Sequence, residues 1–165
     1  MEIKNCPGLL SEGFSEYSPR FLRRMFNGKK VSHILPYNAP EVDEEDKKKF
    51  MQNQKRISIS GVQEKYSVLL EKNNLRLTEE KEQGTYILKP KPHGLQRTSM
   101  VPVNEHLTMQ IASQVYKIQT AENGIVFFIN GGKPDLDTQF MGLEQEVFED
   151  RGRCVRGWYF DEYAQ

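Results

Sequence analysis

Residues 65–129 limit the fold most, because they offer several short runs of β period and a single long run of helical period. KYSVLLE at 65–71 alternates, which places Tyr66, Val68 and Leu70 on one face of a strand. Lys72-Asn73-Asn74 is a turn, after which Leu75-Arg76-Leu77 returns as a hairpin strand. Thr85–Lys89 is a further strand, ended by Pro90 and Pro92. Val103, Leu107, Ile111, Val115 and Ile118 then recur every three or four positions. That spacing predicts a helix over 104–117 with the stripe in the core. Ile125–Ile129 is wholly apolar and predicts a buried strand, and Asn130-Gly131-Gly132 is a turn that opens a hairpin.

Upstream, Ser18-Pro19 predicts a helix start, with Ser18 as cap and Pro19 at the first helical position. Phe21, Leu22, Met25 and Phe26 follow at helical spacing, and Gly28 is placed to stop the helix. Pro36 and Pro40 bracket a loop. Acids at 41–46 precede three lysines at 47–49, the order a helix dipole prefers, so a solvated helix is expected over 41–54.

At 165 residues the chain has the length of about one domain. Its 23 basic and 23 acidic residues cancel, which excludes a nucleic-acid binder driven by bulk positive charge. No apolar stretch approaches the ~18 residues of a membrane-spanning helix. The start, MEIKNCPGLL, lacks a secretory apolar region. Cys6 and Cys154 stand far apart, outside any metal-ligand spacing. A cytoplasmic protein with reduced thiols is expected. His33, His93 and His106 show no partner pattern and receive no role.

Three segments carry possible chemistry. Arg56–Lys65, RISISGVQEK, is a Ser/Gly loop before a strand, and such a loop can wrap phosphates with backbone N–H groups. Alone it reads better as an ordinary β-turn. Lys89 ends a strand, where an ammonium reaches a phosphate as a point charge or simply faces water. Glu105 falls near the start of the periodic helix, where a carboxylate also matches the dipole. In this order, phosphate loop, strand lysine and helix glutamate are the parts of a kinase N-lobe, in which lysine and glutamate pair over the nucleotide.

The chain resembles the HipA-like serine/threonine kinases of bacterial toxin–antitoxin modules, in particular their HipT-type short forms. The resemblance rests on RISISGVQEKYSVLL at 56–70, TYILKP at 85–90 and VPVNEHLTMQIA at 101–112, with CP…YSPRFLRRMF…LPY at 6–37. It covers roughly residues 5–133. It implies an α+β fold: a kinase N-lobe of antiparallel strands and one main helix, preceded by a small helical segment. It implies ATP as cofactor, with Gly61, Val62, Gln63, Glu64 and Lys65 lining the phosphates, Lys89 on the α/β-phosphates and Glu105 orienting Lys89. Ser58 and Ser60 match serines that such kinases autophosphorylate as an off-switch, because a phosphoserine adds nearly two negative charges beside ATP. The implied partners are a HipB-like DNA-binding antitoxin and, as substrate, an aminoacyl-tRNA synthetase. Neither a membrane nor direct nucleic-acid binding is expected.

The resemblance stops near residue 133. The family continues with a helical C-lobe holding the catalytic Asp and the residues that bind Mg²⁺, whereas DLDTQFMGLEQEVFED does not align with it. No His-x-x-x-Asn catalytic loop occurs in the sequence. Composition changes at the same place: residues 1–133 contain 14 Lys, 9 Asn and 9 Ile, and residues 134–165 contain none of them. An acidic surface helix with a frayed end and a foreign reading frame both account for this. Segments 1–50, 51–133 and 134–165 are therefore expected as N-terminal segment, N-lobe-like domain and divergent tail. A lobe without its partner lobe should leave an apolar face bare, with one side of Ile125–Ile129 the expected place. Three functions remain open: the nucleotide-binding half of a HipA-like kinase, inactive alone; a non-catalytic module that binds an antitoxin or partner lobe; or an unrelated α+β protein.

Overall fold

Ser18 opens the first helix, α1 (Pro19–Phe26), by accepting the Phe21 N–H at 3.3 Å, and Pro19 stands at the first helical position. Asn27 (φ 52°) and Gly28 (φ 81°) close it in the left-handed region, with the Gly28 N–H donating to the Leu22 carbonyl at 2.9 Å. One face of α1 buries Phe21, Met25 and Phe26. The computed structural model describes residues 3–38, 48, 65–89, 100–130, 133–145, 147–148 and 154–155. The helix expected over 41–54, the loop residues 56–64 and the proline pair at 90 and 92 lie outside the described residues, save Lys48.

The sheet strands are β1 (Ile34–Asn38), β2 (Tyr66–Glu71), β3 (Asn74–Leu77), β4 (Tyr86–Lys89), β5 (Asn123–Asn130) and β6 (Lys133–Gln145). The long helix is α2 (Val101–Gln114). A separate antiparallel pair joins β7 (Val147–Phe148) and β8 (Cys154–Val155). The six-stranded sheet runs β1-β5-β6-β4-β2-β3, and its edges β1 and β3 approach one another, so it is nearly closed. The β2–β3 hairpin turns through Lys72 (φ 56°), with Glu71 opposite Asn74.

The fold is thus α+β, but the sheet is mixed rather than antiparallel, because β1 pairs with β5 in parallel. The sheet also crosses both expected segment boundaries. β1 comes from the N-terminal segment, and β6, residues 133–145, lies between β5 and β4. Composition could not reveal this, since ladder hydrogen bonds use backbone groups that every residue except proline supplies in full.

Alternation along the strands separates two apolar clusters. Tyr66, Val68, Tyr86, Leu88, Val126, Phe128 and Leu143 point inward and meet Phe21, Met25 and Phe26 of α1. Ile125 and Phe127, on the other face of β5, pack against Val103 of α2 and Ile3. Both faces of β5 are therefore covered, and the expected bare side is absent there. The N-terminal segment completes the inner core. The Ile125 N–H donates to the Pro7 carbonyl at 2.9 Å, and the buried Tyr17 hydroxyl donates to the Ile125 carbonyl at 2.8 Å. Gly8 and Gly124 both face the Phe21 ring; a Cβ on Gly8 would overlap it, so only glycine lets the backbone approach so closely.

Candidate functional site

Period-two geometry decides where Lys89 points. Tyr86 and Leu88 face the inner core, so Ile87 and Lys89 face the opposite side of β4, toward α2. β4 lies inside the sheet, between β6 and β2. Lys89 pairs in register with Gly142 of β6, which has no side chain to crowd it. On α2, Glu105, Met109 and Ala112 recur at three- and four-residue spacing and share the inward side. The Lys89 ammonium donates to Glu105 Oε1 at 2.8 Å, with side chains 11% and 24% exposed. Such a pair is shielded from water more than an ordinary surface ion pair and is correspondingly less screened by salt.

α2 begins at Val101, earlier than the spacing predicted, and its first turn holds no acidic residue. Glu105 therefore lies past the first turn, where the helix dipole has faded and the lysine is its electrostatic partner. The second correction is larger. The stripe expected in the core is mostly outside: Leu107, Ile111, Val115 and Ile118 are 43%, 42%, 66% and 57% exposed. Only Val103 packs against a buried cluster. The buried face of α2 consists of Pro102, His106, Met109, Gln110 and Ala112.

That polar face is tied by a network of side-chain hydrogen bonds. His106 Nδ1 lies 2.6 Å from Asn123 Oδ1, and Gln110 Nε2 donates to the same oxygen at 3.1 Å. Gln114 Nε2 donates to Gln110 Oε1 at 2.7 Å and to the Leu9 carbonyl at 2.9 Å, tying α2 to the N-terminal segment. Asn123 Nδ2 donates to the Ala121 carbonyl at 2.9 Å. Burial holds His106 below its ordinary pKa, and the bond to Asn123 opposes this only in part. The ring is therefore neutral near pH 7, with its proton on Nδ1, donated to Asn123. Nε2 has no partner among the described residues.

Lys89, Glu105, His106, Asn123 and Gly142 line one small crevice with Pro102 and Met109. The structure thus brings together two of the residues named from the sequence, Lys89 and Glu105. Lys65 is described, half-buried just before β2. Gly61, Val62, Gln63, Glu64, Ser58 and Ser60 lie outside the described residues. Sequence reasoning missed His106, Gln110 and Asn123. The first two sit one and five positions beyond Glu105 in a helix, but their partner comes from β5. Among the described residues there is no group of three or more His, Cys, Asp or Glu placed to hold a metal. Likewise no helix among them is long and apolar enough to cross a membrane. No family model matches the chain, and no curated protein matches it either.

Proposed function

We propose that the chain is the nucleotide-binding half of a HipA-like serine/threonine kinase, that it binds ATP, and that it does not transfer phosphate by itself. The observation that carries this reading is the partly buried Lys89–Glu105 pair between an inner strand and the long helix. A lysine oriented by a carboxylate is a group that can meet a nucleotide phosphate. An ammonium has three donors, so Lys89 can keep its Glu105 contact and still place positive charge toward an anion. Glu105 fixes the direction of a flexible side chain that would otherwise sample many rotamers. The loop at 61–65 would supply backbone N–H groups to the phosphates. ATP supplies the transferable phosphoryl group; this chain's residues bind and orient it. The sequence lacks the family's catalytic loop. Phosphorylation of an aminoacyl-tRNA synthetase, and pairing with a HipB-like antitoxin, belong to the complete family enzyme under this reading.

Titration of the purified chain with a fluorescent ATP analogue tests it. Lys89→Met removes a charged donor and should weaken binding by about 1.5–3 kcal/mol, roughly 10- to 150-fold. Glu105→Gln should weaken it less. Equal affinity in the native chain and a folded Lys89→Met variant, or no binding at millimolar nucleotide, would overturn the proposal.

A further inference from the structure

The outward face of α2 is one wall of an apolar groove of about 630 Å³. The opposite wall is the N-terminal segment, where Leu10 and Phe14 are exposed. α1 supplies the rim with Arg20, Arg23 and Arg24. We infer that this groove receives an acidic amphipathic helix from another protein.

Three observations carry the inference. First, the walls are built rather than loose. Leu10 holds φ 58° with its N–H donating to the Cys6 carbonyl at 2.9 Å. The buried Cys6 sulfur accepts the Leu9 and Ser18 N–H groups, and Gln114 pins the Leu9 carbonyl to α2. A groove held open in this way does not charge its ligand for ordering the walls. Second, the apolar wall has the dimensions of a helical ligand. Leu107, Ile111 and the C-cap Val115 follow one face across eight residue steps, about 12 Å at ~1.5 Å per step. That span is long enough to take the ~10.5 Å between the first and last anchors at i, i+4 and i+7 of a docked helix. Third, the charge is one-sided. None of the described residues lining the groove is acidic. Arg24 is held by Glu122, whereas Arg20 and Arg23 have no ion-pair partner among the described residues. Two arginines beside an apolar floor select leucine-type anchors flanked by carboxylates.

The site is separate from the nucleotide proposal. Glu105 and the groove's apolar residues Leu107 and Ile111 lie on opposite sides of α2, and the inference stands whether or not ATP binds.

Fluorescence polarisation with two labelled synthetic helices tests it. Each carries leucines at i, i+4 and i+7; one has glutamates at the flanking positions and the other lysines. The acidic helix should bind at least tenfold more tightly than the basic one, and added salt should weaken it. Ile111→Glu and the double variant Arg20→Glu/Arg23→Glu should each reduce its affinity at least tenfold. Both alter exposed side chains, so an unchanged circular dichroism spectrum identifies them as folded. Equal binding of the two helices, binding by neither, or binding that survives Ile111→Glu would overturn the inference. Sedimentation at the same concentration adds a further arm: a dimer that Ile111→Glu dissolves would assign the groove to a second copy and overturn it too.

Discussion

In α1 the residues turned toward the sheet are Phe21, Met25 and Phe26, and the arginines face away. In α2 the residues turned toward the sheet include Glu105, His106 and Gln110, and Leu107, Ile111 and Val115 face away. Both helices carry apolar side chains at three- and four-residue spacing. They differ in what the sheet offers them. α1 closes onto the mainly apolar interior of a nearly closed sheet, where the buried hydroxyls of Tyr17 and Tyr86 are satisfied by backbone carbonyls. α2 lies on the outer face, where Lys89 and Asn123 present charge and amide groups that need partners. Most buried polar atoms there find partners, His106 Nε2 being the exception among the described residues, and the apolar stripe faces away from the sheet.

The largest effect that would break this comparison lies in α1. Phe21 is fully buried and packed 4.6 Å, centroid to centroid, from Tyr17. Phe21→Ala removes a ring and leaves a cavity between Gly8 and Gly124, so urea denaturation should show a loss of about 3–5 kcal/mol. A loss under 1 kcal/mol would mean that α1 is not the core helix.

How much of this was legible follows from the range of the interactions. The α1 caps, the 65–77 hairpin and the strand at 85–89 are local, and their residues announced them. The adjacency of Lys89 and Glu105 came from the order of three motifs. The parallel β1–β5 pairing joins residues about ninety positions apart, and no local pattern encodes it. The β5–β6 hairpin was legible in the turn at 130–132, but the extent of β6 through residue 145 and its pairing with β4 were hidden by a change in composition that backbone pairing does not depend on. The face of α2 was misread because periodicity locates apolar residues but does not say which side is covered. Asn123, which satisfies His106 and Gln110, belongs to a different element.

The polar face of α2 gives the next effect. Asn123→Ala leaves His106 Nδ1 and Gln110 Nε2 buried without their shared acceptor. The expected loss is about 1–3 kcal/mol by denaturant titration. If the variant is as stable as the native chain, the network is not what holds α2 on the sheet.

The same face should make stability depend on pH. Burial lowers the pKa of His106 and also of His33, which is packed against Tyr17 and Phe127. In the unfolded chain each histidine titrates near ~6.5. Below that pH the unfolded state binds protons that the folded state does not, so stability must fall as pH falls. The contribution is complete above the unfolded value and is lost as pH drops through the lowered folded values. Thermal unfolding scans from pH 7.5 to 5 should show the midpoint decreasing, and His106→Asn should flatten part of that slope. A midpoint that rises on acidification would show that the rings are charged in the fold.

The smallest effect is the sharpest test of which way α2 faces. Val115 belongs to the stripe that its spacing assigned to the core, yet it is 66% exposed. In a core, Val→Ala removes two methyl groups at ~0.8 kcal/mol each and adds a cavity, for roughly 2 kcal/mol. At an exposed position the transfer term mostly vanishes. Alanine also has the higher helix propensity, by a few tenths of a kcal/mol, although Val115 stands at the helix end where that gain is smallest. Val115→Ala should therefore change stability by no more than about 0.5 kcal/mol in either direction. A loss near 2 kcal/mol, measured beside Phe21→Ala under the same conditions, would mean that the stripe is covered in the isolated chain, and the contrast between the two helices would disappear.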